Sequence, residues 1–153
     1  MRNLVQYGGD RGVKVCLENL AWGWTSKPNL FEKLIRRTGA GVTFDIGHAQ
    51  ASESVSNQYF SPEDFISPHS DRVHNAHIYH TEIPGKGHMP PENVEDIRER
   101  LDILRQIGCL WWVIEIRDAQ QLLRTKQILD GYIEKTFPAK VSDASIKSHF
   151  EIN

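Results

Sequence analysis

The chain has 153 residues, 39% hydrophobic and 25% charged, a composition suited to one ordinary domain able to bury a core. Its formal net charge of -2 gives no global electrostatic pull toward nucleic acid or an anionic membrane. No stretch approaches the roughly 20 apolar residues of a membrane helix, and MRNLVQYGGDRG at the start lacks a continuous apolar segment, so a soluble, cytoplasmic protein is expected.

From Val13 onward, short β-branched or aromatic runs alternate with longer segments of helical periodicity, the pattern of repeated βα units in a parallel sheet. The first strand is expected over residues 13–19. After it comes a loop with Trp22 and Trp24, then a helix near Pro28 whose Leu30, Phe31, Leu34 and Ile35 form an apolar stripe ending at Gly39, a left-handed cap. A second strand is expected over 41–47, and Ser61-Pro62-Glu63-Asp64 reads as a cap followed by proline at the first helical position. The third strand, 73–79, is followed by a flexible Gly-Lys-Gly segment and His88. Asn93 is expected to cap the third helix, with Val94, Ile97, Leu101 and Leu104 at spacings of three and four. The fourth strand covers 110–117, and Asp118 with Gln121 resembles a capping box on the last helix, which Pro138 closes. Residues 1–137 thus form the expected domain, and 138–153 a tail that is a surface extension or poorly ordered. Cys16 and Cys109 lie in apolar runs without C-x-x-C spacing, as buried free thiols do.

Side chains alternate across a strand, so each run divides into two faces. One face is apolar: Val15 and Leu17; Val42, Phe44 and Ile46; Ala76 and Ile78; Trp112, Ile114 and Ile116. The other carries Lys14, Cys16 and Glu18; Thr43 and Asp45; Asn75, His77 and Tyr79; Val113, Glu115 and Arg117. An open doubly wound sheet would be apolar on both faces, so a systematically polar face points to a barrel lumen. The ionisable residues also fall late in their strands, where (β/α) barrels assemble active sites.

Three carboxylates and an imidazole from four strands are costly to bury unpaired, and a divalent cation would resolve that cost. Oxygen and nitrogen ligands suit Mn²⁺, Mg²⁺ or Co²⁺, with Zn²⁺ an alternative. Each residue alone has a plainer reading: Glu18 or Glu115 could pair with Lys14 or Arg117, Asp45 could cap a turn, and His77 could be a hydrogen-bonded structural histidine. Recurrence at matching positions on consecutive strands favours the metal site. Trp22 and Trp24 could wall a sugar face or pack their own loop. His88 could lie over the site or be an exposed loop residue, and the plainer reading of His80 is a solvated loop group.

The runs VCLENL, GVTFDIGHA, VHNAHIYH with the later GKGHMPP, and WWVIEIRD, in that order and spacing, resemble the second half of the xylose isomerase-like TIM barrel superfamily. The resemblance covers about residues 1–137, and its most specific part is the D-x-G-H element at Asp45 to His48. It implies an α/β fold in which four consecutive βα units form half of a (β/α)8 barrel. In the epimerase branch, the matching positions make Glu18, Asp45, His77 and Glu115 the ligands of one divalent cation. There Glu18 and Glu115 also serve as the acid/base pair and His48 binds substrate hydroxyls. The implied activity is metal-dependent isomerisation or epimerisation of a sugar or sugar phosphate. One carboxylate removes a proton next to a carbonyl, an enediolate forms, and the other carboxylate returns the proton.

Two other classes remain open: an endonuclease IV-like phosphodiesterase, and a truncated, non-catalytic metal-binding subunit. Lys86 argues against the first, because that branch typically has an acidic ligand two residues before the loop histidine and a cation there would repel a further zinc. A barrel of this kind needs eight βα units. A homodimer or a partner chain supplying the other half is therefore expected, alongside the truncated alternative, with a small carbohydrate as ligand and neither membrane nor nucleic acid as partner.

Overall fold

The computed structural model describes residues 1–136, so the tail expected over 138–153 lies outside the described residues. Along the chain run α1 (Arg2–Gly9), β1 (Cys16–Glu18), α2 (Pro28–Thr38), β2 (Gly41–Asp45), α3 (Ile46–Ala51), α4 (Glu53–Ser56), β3 (Val73–Ile78), β4 (Thr81–Ile83) and β5 (Gly87–Met89). They are followed by α5 (Arg98–Gln106), β6 (Trp112–Ile114) and α6 (Ala119–Thr136), with short 3₁₀ turns between elements. Strands β1, β2, β3 and β6 form one parallel sheet in that order. Among the described residues, no helix is long and apolar enough to cross a membrane. Cys16 and Cys109 are free thiols, half-buried and buried.

The two faces of the sheet separate as strand parity requires. Val42 and Phe44 of β2 and Ala76 and Ile78 of β3 are fully buried against Phe31 and Ile35 of α2 and Leu101 and Leu104 of α5. Removing each such side chain from water stabilises the fold by roughly 1.5–3 kcal/mol for the larger ones. On the opposite face Glu18, His77 and Glu115 are half-buried, and the Thr43 hydroxyl donates to Asn75 Oδ1 at 2.8 Å. Helix α2 takes Pro28 in its first turn and ends at Gly39, whose φ of 72° is the left-handed cap expected from sequence.

The strands are shorter than expected, each for a local reason. The run expected over 13–19 begins its ladder at Val15, whose carbonyl accepts the Gly41 amide at 3.0 Å. Val13 instead turns its amide back to the Gly8 carbonyl at 2.9 Å, closing α1. The run over 41–47 stops at Asp45, because Asp45 caps α3 through its side chain and Ile46 and Gly47 are already helical. At the outer strand, only Trp112–Ile114 of 110–117 is strand; Leu110 and Trp111 are exposed beyond it. The third helix splits: Asn93 caps only a 3₁₀ turn, Val94–Asp96, and Ile97, with non-helical φ −130° and ψ −5°, separates that turn from α5. The last cap forms, with Asp118 Oδ1 accepting the Gln121 amide at 2.8 Å.

The Gly-Lys-Gly segment, expected as a flexible loop, is the turn of an antiparallel hairpin between β4 and β5. Pro84 and Gly85 occupy its centre, Gly85 with a φ of 77°, and the Lys86 amide closes it on the Ile83 carbonyl at 3.0 Å. The register pairs Glu82 with His88 across the hairpin, which sets both side chains on one face.

Candidate metal centre

Glu18 ends β1, Asp45 ends β2, His77 is the next-to-last residue of β3, and Glu115 directly follows β6. Asp45 lies opposite His77 in the ladder, while Glu18 pairs with Thr43 and His77 with Val113. Each of those last two steps is offset by two residues, so all four side chains share a face. They converge on His77 Nδ1, which stands 3.4 Å from Glu18 Oε1, 3.5 Å from Asp45 Oδ2 and 3.4 Å from Glu115 Oε1. Glu18 and Glu115 come from the two outer strands, which in a flat sheet would lie about 14 Å apart. Their long side chains nonetheless meet at one nitrogen on the polar face.

The donor set fits a divalent ion. Asp45 Oδ2 and His77 Nδ1 are buried without a hydrogen-bond partner among the described residues, a condition that costs roughly 1–3 kcal/mol per group and more when charged. Ligands held about 2.1 Å from a metal stand roughly 3.0–3.4 Å from one another, close to the spacings found around His77 Nδ1. Ligand atoms of Asp45, His77 and Glu115 lie within 4.8 Å of one another, and so do those of Glu18, Asp45 and His48.

The charges answer to the same geometry. Burial pushes the Glu18 carboxyl up, but the His48 and His77 imidazoles outweigh it and hold Glu18 at about 2. Burial pushes His77 down, and Asp45, Glu18 and Glu115 reverse that, raising it to about 10. Burial raises Glu115; His77 opposes the rise, while the negative charges of Asp45 and Glu18 add to it. Two carboxylates with environments pulling in opposite directions can divide the roles of proton acceptor and donor. His77 holds a proton among carboxylates in a place a metal cation would also suit, since ligation needs the neutral imidazole.

His48 is buried at the start of α3, with its amide donating to Asp45 Oδ1 at 2.7 Å. Its Nδ1 lies 3.1 Å from the Asn19 carbonyl and 3.2 Å from both Glu18 Oε1 and Asp45 Oδ2; its Nε2 lies 2.8 Å from Glu82 Oε2. His88 Nδ1 donates to the Glu115 carbonyl at 2.9 Å, so this histidine lies over the site and not in solvent. Trp22 lines an open cavity of about 510 Å³ with Trp24, Lys27, Leu30 and Glu53, and among the described residues no hydrogen bond or ring contact joins it to the cluster. The plainer partners weighed for Glu18 and Glu115, Lys14 and Arg117, form no ion pair with them among the described residues; Lys14 Nζ meets His74 Nδ1 at 3.4 Å.

Residues 1–135 match the family described as xylose isomerase-like TIM barrel. The chain belongs to that family. It is also 34% identical over 129 residues to uncharacterized protein MJ0008 of Methanocaldococcus jannaschii, a match covering 84% of this chain and 54% of that protein. The chain thus spans about half the length of the curated relative it matches. Enzymes of the xylose isomerase-like barrels include isomerases, epimerases and endonuclease IV-like proteins, many of them dependent on divalent metals.

The roles of four residues beside the cluster escaped the sequence reading. Asn19, fully buried, exchanges two hydrogen bonds with the Asp45 backbone, donating to its carbonyl at 2.8 Å and accepting its amide at 2.9 Å. Glu82 belongs to a strand too short to show alternation, and with His48 and His88 it makes another group whose ligand atoms lie within 4.8 Å of one another. That group weakens the inference drawn from Lys86, which is exposed at the hairpin turn while Glu82 supplies the acidic group. Tyr79 stacks flat on His88, with ring centroids 4.0 Å apart at 11°, and meets the edge of His48. Gly47 makes room for it, since a Cβ there would overlap the Tyr79 ring. Arg100, 3% exposed, donates to the carbonyls of Ile46 at 3.0 Å, His80 at 2.8 Å and Asp96, pinning the loops that carry His48 and Glu82. Burial pushes its guanidinium down to about 10, with nearby carboxylates acting the other way. His80, whose plainer reading was a solvated loop group, is half-buried with Nδ1 3.2 Å from the Asp96 carbonyl.

Proposed function

We propose that the chain carries the metal-binding half of a barrel that isomerises or epimerises a sugar or sugar phosphate. Glu18, Asp45, His77 and Glu115 would hold one divalent cation, Mn²⁺, Mg²⁺ or Co²⁺. The observation that carries this reading is the approach of three carboxylates to the unpartnered His77 Nδ1 at 3.4–3.5 Å. When bound, the ion would polarise a substrate carbonyl and its neighbouring hydroxyl. Glu18, held ionised, is suited to take the proton from the carbon beside the carbonyl. Glu115, with its carboxyl raised, is suited to return one, so the substrate passes through an enediolate. His48 and His88 face the same space and would bind substrate hydroxyls.

The parallel order of the four strands, with a polar side chain from each meeting on one face, supports four βα units as half of a (β/α)8 barrel. Among the described residues β1 and β6 each pair with a single neighbour, leaving two edges where the remaining strands would join, from a second copy or from another chain. Sedimentation mass distinguishes these from a monomer. The activity is tested by supplying Mn²⁺ and aldo- and keto-sugars in D₂O. Solvent deuterium should enter at the carbon next to the carbonyl, and a protein that binds no metal would end this reading.

One observation favours a second reading. The group of His48, Glu82 and His88 offers room for a further cation, as an endonuclease IV-like phosphodiesterase would use. More than one bound metal per chain, together with phosphodiester cleavage and no carbon-bound deuterium, would select it.

A further inference from the structure

Of the four clustered residues, Glu115 alone is carried by no strand, since β6 ends at Ile114. Its amide reaches the Ile78 carbonyl at 3.3 Å, but its own carbonyl lies past the end of the β3–β6 ladder and accepts instead from His88 Nδ1 at 2.9 Å. A carbonyl oxygen can only accept, so Nδ1 carries the proton of this bond. In the neutral ring Nε2 is then the nitrogen with the lone pair.

His88 is itself firmly placed. Strand β5, which carries it, is joined to the end of β3 where the His80 amide donates to the Met89 carbonyl at 2.9 Å. The His88 ring lies flat on Tyr79, with centroids 4.0 Å apart at 11°, and Tyr79 is fully buried in the space left by Gly47. With its amide tied to Ile78 and its carbonyl tied to His88, Glu115 has both backbone groups fixed, and these set the direction of its Cα–Cβ bond. At the end of that side chain, Oε1 stands 3.4 Å from His77 Nδ1.

We propose that His88 is a positioning residue for Glu115, its Nδ1–H holding the Glu115 carbonyl so that the carboxylate points into the cluster. The proposal rests on the reading of Glu115 as the group that returns the proton. A reacting group displaced by about 1 Å can lose roughly 10²-fold in rate, so this bond bears on turnover more than on substrate affinity.

Two substitutions in the full chain separate the two nitrogens. In His88→Asn the side-chain amide nitrogen stands near the place of Nδ1, and in His88→Gln near that of Nε2. With Mn²⁺ and a panel of aldo- and keto-sugars in D₂O, His88→Gln should lower kcat for carbon–deuterium exchange by roughly 10–100-fold with little change in KM. His88→Asn should keep most of the parent kcat and raise KM, because the nitrogen left for a substrate hydroxyl is gone. Apart from activity, nitrogen NMR of the metal-free parent should show the neutral His88 ring protonated at Nδ1, and the two variants should melt alike.

Equal kcat in the two variants, the reverse order, or a ring protonated at Nε2 would each overturn the proposal. So would a His88→Gln protein that alone melts lower or fails to fold, since the bond would then belong to the fold. If the parent exchanges no deuterium, the reading of the reaction fails and takes this role with it; if it exchanges and the two variants match, only the role of His88 fails.

Discussion

The two faces of the parallel sheet are made by the same strands, yet they obey different rules. The helix-covered face is satisfied by volume: Val42, Phe44, Ala76 and Ile78 need only apolar neighbours of the right size, and α2 and α5 supply them. The polar face is satisfied by position. Its side chains leave buried polar atoms unpaired and place like charges side by side, an arrangement that a bound cation would complete. One face holds the fold together and the other spends part of that stability on a site.

The largest effect expected on this contrast is at Glu115. Glu115→Gln should lower carbon–deuterium exchange by about 10²–10⁴-fold with little change in melting temperature; exchange at the parent rate would remove Glu115 from the proton path. Phe44→Ala tests the other face and should cost about 3–5 kcal/mol in denaturant unfolding. The Mn²⁺ affinity of the protein that remains folded should be unaltered. A large loss of affinity there would mean that the two faces are not separable.

A smaller effect is expected from pH in chelator. Glu18, depressed from 4.5 to about 2, stabilises the fold above pH 4.5 and loses that contribution as the pH falls through about 2. His77, raised from 6.5 to about 10, contributes fully below pH 6.5 and loses its contribution as the pH rises through about 10. Melting should therefore be highest between about pH 4.5 and 6.5 and decline toward pH 10. A flat profile from pH 6.5 to 10 would show that His77 is not held protonated by its neighbours, and adding Mn²⁺ at pH 6.5 should release protons.

The sequence was most legible where a side chain's face follows from period-two alternation. Glu18, Asp45, His77 and Glu115 were placed together by parity and by their lateness in each run, and the structure brings those four side chains to one point. Legibility fell off where the backbone leaves the strand. Ile46 and Gly47 look like strand continuation, but the Asp45 carboxylate turns the chain into α3 and thereby aims His48 at the cluster. The hairpin was missed because β4 and β5 have three residues each, too few for alternation to register, and with it went Glu82. Its Pro84-Gly85 pair was the available signal. Tyr79 was assigned to the polar face without a role, since a buried aromatic ring reads first as core. Arg100 carried no signal, because its partners are backbone carbonyls.

The double use of Asp45 has a consequence for local order. One of its oxygens begins a six-residue helix and the other points into the ligand cluster. A helix that short does not persist on its own strength. Whatever steadies the carboxylate also steadies the first turn of α3, and with it the direction in which His48 faces. On the metal reading proposed above, capture of an ion by Asp45 would therefore be coupled to the placing of the neighbouring imidazole.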